Sequence, residues 1–269
     1  MALEASEGAP EAPAPEDEGV AIPTAEERKK RFSPFLSLGA ALRRGSAEPR
    51  PVKLARLGVS GQGAEREMTA VPALADPALK ELDLAPIRPG LSYVRITFHN
   101  TRNEYLYEVI EPPLSRIEKD LLERLRVVLV DQFEPLPEHD PETKRRELRL
   151  MVDRQLQEWE LAPSPVTKGR ILYYLERDFI GYGVIEVPMT DSEVEDISCD
   201  GQKIPLYIYH RKYGSIRSNL RFETAQQLND FVVWLAQRSG KHISVASPVL
   251  DATVPDGSRL QATLGEHVT

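Results

Sequence analysis

The chain has 269 residues, 41% of them hydrophobic, with 42 acidic against 34 basic side chains and a formal net charge of -8. That length suits one large domain or two small ones, and the acidic balance argues against a general nucleic-acid binder, which carries a basic surplus. A single cysteine, Cys199, excludes an internal disulfide framework and a cysteine-cluster metal site, and a reducing cytosol is the simplest compartment.

Residues 1–27 hold eight acidic side chains and no basic one, interrupted by Pro10, Pro13, Pro15 and Pro23. Such a stretch buries too little apolar surface to offset its ordering entropy, so residues 1–30 are expected to be a disordered acidic tail. The sign then flips: Arg28 to Arg56 carries nine basic residues and one acidic, Glu48. Within it lie Phe32, Phe35, Leu36, Leu38 and Leu42, which read either as a docking segment for an anionic membrane or acidic partner, or as a linker packing partly on the fold. Residues 31–88 as a whole read as basic segment and linker.

Order is expected from about Pro89. Val94, Ile96 and Phe98 alternate with polar residues, Asn100–Asn103 reads as a turn, and Glu104–Ile110 continues the alternation, predicting a β-hairpin. Ser115 with Glu118 forms a capping box opening a helix whose stripe is Ile117, Leu121, Leu125 and Val128. Asp140-Pro141 and Ser164-Pro165 each pair a capping residue with a proline suited to the first helical position, predicting two further helices. The hairpin and three helices make a first domain over 89–180, and their apolar residues read as core.

From Gly181 the pattern changes. Val194–Cys199 is strand-like, Leu206–His210 and Ser215–Phe222 form a hairpin about Lys212-Tyr213-Gly214, and Thr224 with Gln227 caps a helix ended by Gly240. Val249–Val254 and Ser258–Leu264 form a last hairpin around Pro255-Asp256-Gly257. The fold class is α+β: a small hairpin-plus-helices unit, then an α+β unit over 181–269 with an antiparallel sheet and one main helix.

No complete active site is visible. Ser239-Gly240-Lys241-His242 has the look of a P-loop tail, but no glycine stands upstream at the right spacing, and it closes a helix where a P-loop would open one. Gly181-Tyr182-Gly183 is too short for a dinucleotide fingerprint. There is no nucleophile elbow and no His-Glu-x-x-His helix. Glu193, Glu195 and Asp196 read as a solvated face, and the five histidines include no pair at metal-ligand spacing. What remains is a set of basic residues near turns: Arg217, Arg238, Lys241 and Arg259, the last directly after Asp256-Gly257-Ser258. Arginine forks suit phosphate oxygens, and a turn can present one onto another domain's nucleotide.

The runs Asp178-Phe179-Ile180-Gly181-Tyr182-Gly183 and Glu195–Gly201, then Tyr207, His210, Tyr213-Gly214 and Asn219, resemble the archaeal type II/IV secretion ATPases, the GspE-like and FlaI-like proteins related to PilT. Gly240-Lys241, Leu250-Asp251-Ala252, Pro255–Arg259 and Gln261–Leu264 extend the likeness, which covers roughly 164–269. The resemblance implies a homo-hexamer of two-lobed subunits, with ATP and Mg2+ held between an N-terminal lobe and a RecA-like lobe. In this sequence 181–269 would then be a nucleotide-sensing unit before that lobe. It implies that Arg259 reaches the terminal phosphate, with Arg217, Arg238 and Lys241 as further nucleotide or neighbour-subunit contacts. It also implies an integral-membrane platform protein as partner, a place at the cytoplasmic face of the membrane, and a role in protein secretion or in pilus or archaellum assembly. The P-loop lies outside 1–269, so the chain alone is expected to be inactive as an ATPase. The alternative is a non-enzymatic adaptor of a secretion complex. Nucleic-acid binding through residues 28–56, which would be steeply salt-dependent, is not expected.

Overall fold

The computed structural model describes residues 68–133 and 140–264. The expected acidic tail (1–30) and the Phe32–Leu42 apolar patch lie outside those residues, as do His139 and His267.

The described chain is α+β, with eight strands and five helices. Strands β1 (Leu79–Arg88), β2 (Ser92–His99) and β3 (Glu104–Ile110) come first, followed by helices α1 (Arg116–Gln132), α2 (Pro141–Glu158) and α3 (Pro165–Phe179). A 3-10 turn (Gly183–Ile185) leads into the short α4 (Glu186–Thr190). Then come β4 (Val194–Ser198), β5 (Pro205–His210), β6 (Gly214–Arg221), α5 (Ala225–Arg238) and the pair β7 (Val249–Thr253) and β8 (Arg259–Thr263).

The helix starts form as their local signals predict. Ser115 and Glu118 make a reciprocal capping box, as do Thr224 and Gln227. Asp140 accepts from the N–H groups of Glu142 and Thr143, and Ser164 accepts from that of Thr167. Each cap satisfies donors that the first helical turn leaves without a partner. At the end of α5, Gly240 adopts φ +67°, Lys241 N–H reaches Ala236 O at 2.9 Å and Gly240 N–H reaches Gln237 O at 3.0 Å. That is a Schellman cap, so Ser239-Gly240-Lys241 closes a helix.

Two features differ from expectation. Residues expected as linker up to 88 include β1, a ten-residue strand paired antiparallel with β2. Its only apolar alternation, Leu82 and Leu84 about Asp83, is exposed beside Lys80 and Glu81, and it contains Pro86, so no buried apolar face marks it; an edge strand is specified by its partner's hydrogen-bonding edge instead. In α1, Ile117 is 49% exposed, and the inward stripe is Leu121, Leu122, Leu125, Leu129 and Val130. Glu118 in the same first turn is buried, so the inward face runs through 118, 121, 122, 125 and 129 and leaves Ile117 and the half-buried Val128 at its margins.

A single six-stranded sheet runs in the order β1-β2-β3-β6-β5-β4 across the expected boundary at Gly181. All its pairs are antiparallel except β3–β6, the parallel seam joining two three-strand halves. That seam is short: Leu106 faces Arg217 and Tyr107 faces Ser218. The Asn219 side-chain amide extends it, accepting from Val109 N–H and donating to Val109 O, both at 2.9 Å. A primary amide copies a peptide group's donor and acceptor, so one side chain replaces a missing ladder rung.

The main core lies between α1–α3 and the β6–α5 segment, where Leu125, Leu129, Leu148, Val152 and Leu175 meet Phe222, Phe231 and Trp234. A second cluster, Val94, Ile96, Tyr107, Ile208 and Ile216, is closed by Val187 of α4. Leu250 and Ala252 of β7 pack on Ala236 of α5 and on Ile243, and this attaches the last hairpin.

Candidate functional site

The β7–β8 hairpin turns at residues 254–258. Gly257 N–H reaches Val254 O at 2.9 Å and Ser258 O accepts from Val254 N–H at 2.9 Å, while Asp256 Oδ1 accepts from Ser258 N–H at 2.9 Å. Gly257 sits at φ +93°, a conformation that a side chain would strain, and Pro255 presets its own φ. The turn is therefore stiff, and it delivers Arg259 at the first position of β8.

Arg259 points to the outer face of the hairpin. Its Nη2 donates to Asp251 Oδ2 at 2.7 Å and its Nε to Asp251 Oδ1 at 3.2 Å, a two-pronged pairing across the strands. The two side chains are 70% and 55% exposed, so the pair stands in water. The hydrogen bond from Arg259 holds the Asp251 carboxyl below its ordinary value, and the positive charge of Lys241 adds to the effect. Arg259 thus pairs directly with this exposed carboxylate, and Lys241 bears on it through its charge.

The other two basic residues have different surroundings. Arg238 donates from Nη1 to Gly181 O at 2.6 Å and from Nη2 to Ile180 O. Its guanidinium lies over the rings of Tyr182 and Trp234, 4.9 and 5.2 Å from their centroids. It ties the end of α3 to the end of α5. Arg217 sits in β6 opposite Leu106 and Tyr207, with Glu104 at 3.7 Å, and none of these neighbours belongs to the hairpin.

Tyr182 links the two regions. Burial raises its hydroxyl pKa and the Asp256 carboxylate raises it further, while Arg238 opposes both, so the ring stands between the turn and the Arg238 strut. The glycines flanking it are required locally. Gly183 has φ +60°, and a Cβ on Gly181 would collide with the Glu186 carboxylate. Glu186 accepts from Tyr182 N–H at 2.6 Å, and burial raises its carboxyl pKa. Gly181-Tyr182-Gly183 is thus a structural joint. Sequence reasoning gave Asp251 and Tyr182 no role beyond the runs of the resemblance and did not single out Glu186; the Asp251–Arg259 spacing across the predicted hairpin and the four-residue Tyr182–Glu186 spacing are the local signals that could have found them.

Beneath the joint lies a buried ionic network. Asp178, fully buried, binds Arg126 and Arg177, and Arg177 also binds Glu111 at 2.9 Å. Glu176, 3% exposed, receives Arg88 at 2.5 Å and Arg149 at 2.9 Å. By contrast, Glu193 and Glu195 are exposed and pair with Arg211. Among the described residues no group of three or more His, Cys, Asp or Glu could hold a metal ion, and no helix is long and apolar enough to cross a membrane.

Fold and site define an α+β protein with a mixed sheet, a helical layer and an exposed Arg–Asp hairpin. No family model matches the chain. It is 37% identical over 181 residues to the uncharacterized protein MJ1288 of Methanocaldococcus jannaschii, covering 67% of this chain and 72% of the relative. The chain belongs to the family of that protein. Two further M. jannaschii proteins are similar over part of their length. The uncharacterized protein MJ0900 is 36% identical over 106 residues, and MJ0781, also uncharacterized, is 27% identical over 158. Those matches span 19% and 20% of the two relatives, so related sequence forms about a fifth of much longer chains.

Proposed function

We propose that this chain is the N-terminal regulatory and oligomerising region of a hexameric secretion or filament-assembly ATPase, and that Arg259 completes an ATP site between two lobes. The observation that carries the proposal is the Arg259–Asp251 pair: an arginine on a stiff turn, 70% exposed, whose carboxylate partner is also in water. Exposed pairs of this kind are cheap to separate, so a phosphate can replace Asp251 as the fork's acceptor. The positive charge of Lys241 also acts on Asp251. Arg238 serves the same site as a strut beneath the turn, and Arg217 is left to neighbour-subunit contact. The occurrence of related sequence as about a fifth of much longer relatives supports a module working inside a larger machine.

In this reading ATP with Mg2+ is held mainly by a RecA-like lobe outside 1–269. Closure of the lobes brings Arg259 to the terminal phosphate, where it stabilises transition-state charge. The hairpin-and-helices unit faces an integral-membrane platform protein at the cytoplasmic surface. The test is Arg259→Ala in the hexameric enzyme. An arginine in this role is worth at least about 100-fold in turnover, and turnover within twofold of the parent would sink the assignment.

A second reading, a non-enzymatic adaptor, is favoured by one observation. The 181 matched residues are 72% of MJ1288, which makes that relative about 250 residues long and leaves only about 70 of its residues outside the match. Expressing the complete reading frame and measuring ATP hydrolysis separates the two readings, since an adaptor has none.

A further inference from the structure

A cavity of about 660 Å³ opens where α1 and α3 meet the end of β6 and the start of α5. Its apolar lining is Leu114, Leu122, Val184, Phe222 and Phe231, and it spans the two halves of the sequence. Its charged lining is balanced: Lys119, Arg126, Arg177 and Arg221 against Glu111, Glu123, Asp178 and Glu223. A net-charged ligand gains little Coulomb energy there, so an occupant would be held by its apolar surface. A space of about 150 Å³ accommodates one benzene-sized group, so this cavity has room for roughly four.

We infer that the cavity is the docking site of this chain's own Phe32–Leu42 segment, seated through Phe32, Phe35, Leu36 and Leu38. Those are four large apolar side chains within seven positions, in a stretch otherwise basic. The tether is well placed. Met68 packs against Gly169 of α3, its carbonyl accepts from Arg170 Nε at 3.1 Å, and its N–H reaches Gly90 O at 3.0 Å. The cavity residues Tyr174 and Arg177 lie on the same helix, roughly 7 to 12 Å further along at 1.5 Å per residue. A tether of thirty residue steps, the separation of Leu38 from Met68, has a reach of about 30 Å at the dimensions of a flexible linker. A segment so tethered meets its site at an effective concentration in the millimolar range. A docked segment would cover the seam between helical layer and α5 while leaving the hairpin face of Arg259 open.

The test is disulfide trapping in the full chain. With Cys199→Ser as background, Phe35→Cys is combined with Lys119→Cys at the cavity rim or, as control, with Thr101→Cys in the β2–β3 turn. Both partner positions are exposed. On oxidation with copper phenanthroline, the 35–119 pair is expected to close within one chain at least about tenfold faster than the 35–101 pair. Because the contact is apolar, that ratio is expected to change less than twofold between about 0.05 and 0.5 M salt. Adding Phe32→Ser and Leu36→Ser is expected to remove the preference with the circular dichroism unchanged. Equal rates for the two pairs, a preference that collapses with salt, or 35–119 disulfides forming only between two copies would each overturn the inference.

Discussion

Arg238 and Arg259 are both basic residues near the ends of elements, but their surroundings give them opposite expected behaviour. In Arg238→Ala the carbonyls of Ile180 and Gly181 lose two charge-assisted hydrogen bonds, and Tyr182 and Trp234 lose the cation between them. Hydrogen bonds to charged groups contribute about 1.5–3 kcal/mol each and a cation–π contact about 0.5–2 kcal/mol. The four contacts are not additive, and water can reach the partly exposed carbonyls, so the expected loss is about 2–4 kcal/mol. Arg238→Lys keeps the charge without the fork and should fall between. Urea unfolding measures this directly: with a slope of about 2 kcal/mol/M, the Arg238→Ala midpoint should fall by about 1–2 M. Arg259→Ala, which removes only a solvent-exposed pair, should leave the midpoint where it is. A shift below about 0.3 M for Arg238→Ala, at unchanged slope, would refute the strut and return that guanidinium to the set available for ligand.

The Arg259–Asp251 pair predicts that Asp251 in Arg259→Ala titrates nearer the ordinary aspartate value when followed by carboxyl NMR; an unmoved titration would mean the two side chains do not pair in solution. Glu186 carries a raised carboxyl pKa because burial disfavours its charge. Its ionisation therefore costs stability as pH rises from the ordinary glutamate range, about 4.3, to the raised value, beyond which the cost is constant. Glu186→Gln should abolish that decline, matching the parent at acid pH and exceeding it at neutral pH; parallel stability–pH curves would contradict the assignment. Asp178→Ala should cost about 3–5 kcal/mol, because Arg126 and Arg177 would keep their charges in the interior without the shared carboxylate.

Much of the chain's local architecture was legible from the order of its residues. Ser115–Glu118, Asp140-Pro141, Ser164-Pro165, Thr224–Gln227 and Gly240 each mark a helix end because capping joins groups within five residues of one another. The alternations in 92–110, 206–222 and 249–264 mark hairpins for the same reason, and Gly257 announces the turn that carries Arg259. The α+β class follows from these elements. Only the tertiary structure decided how they share one sheet, since the β3–β6 seam and its Asn219–Val109 bonds join residues 110 positions apart. The same holds for β1, whose alternating Leu82 and Leu84 are exposed and which is a strand because β2 offers it an edge. It also decided which basic residue is a strut and which stands in solvent. Arg238 and Arg259 look alike in sequence, and their roles are set by carbonyls, rings and a carboxylate that folding brings to them from elsewhere in the chain.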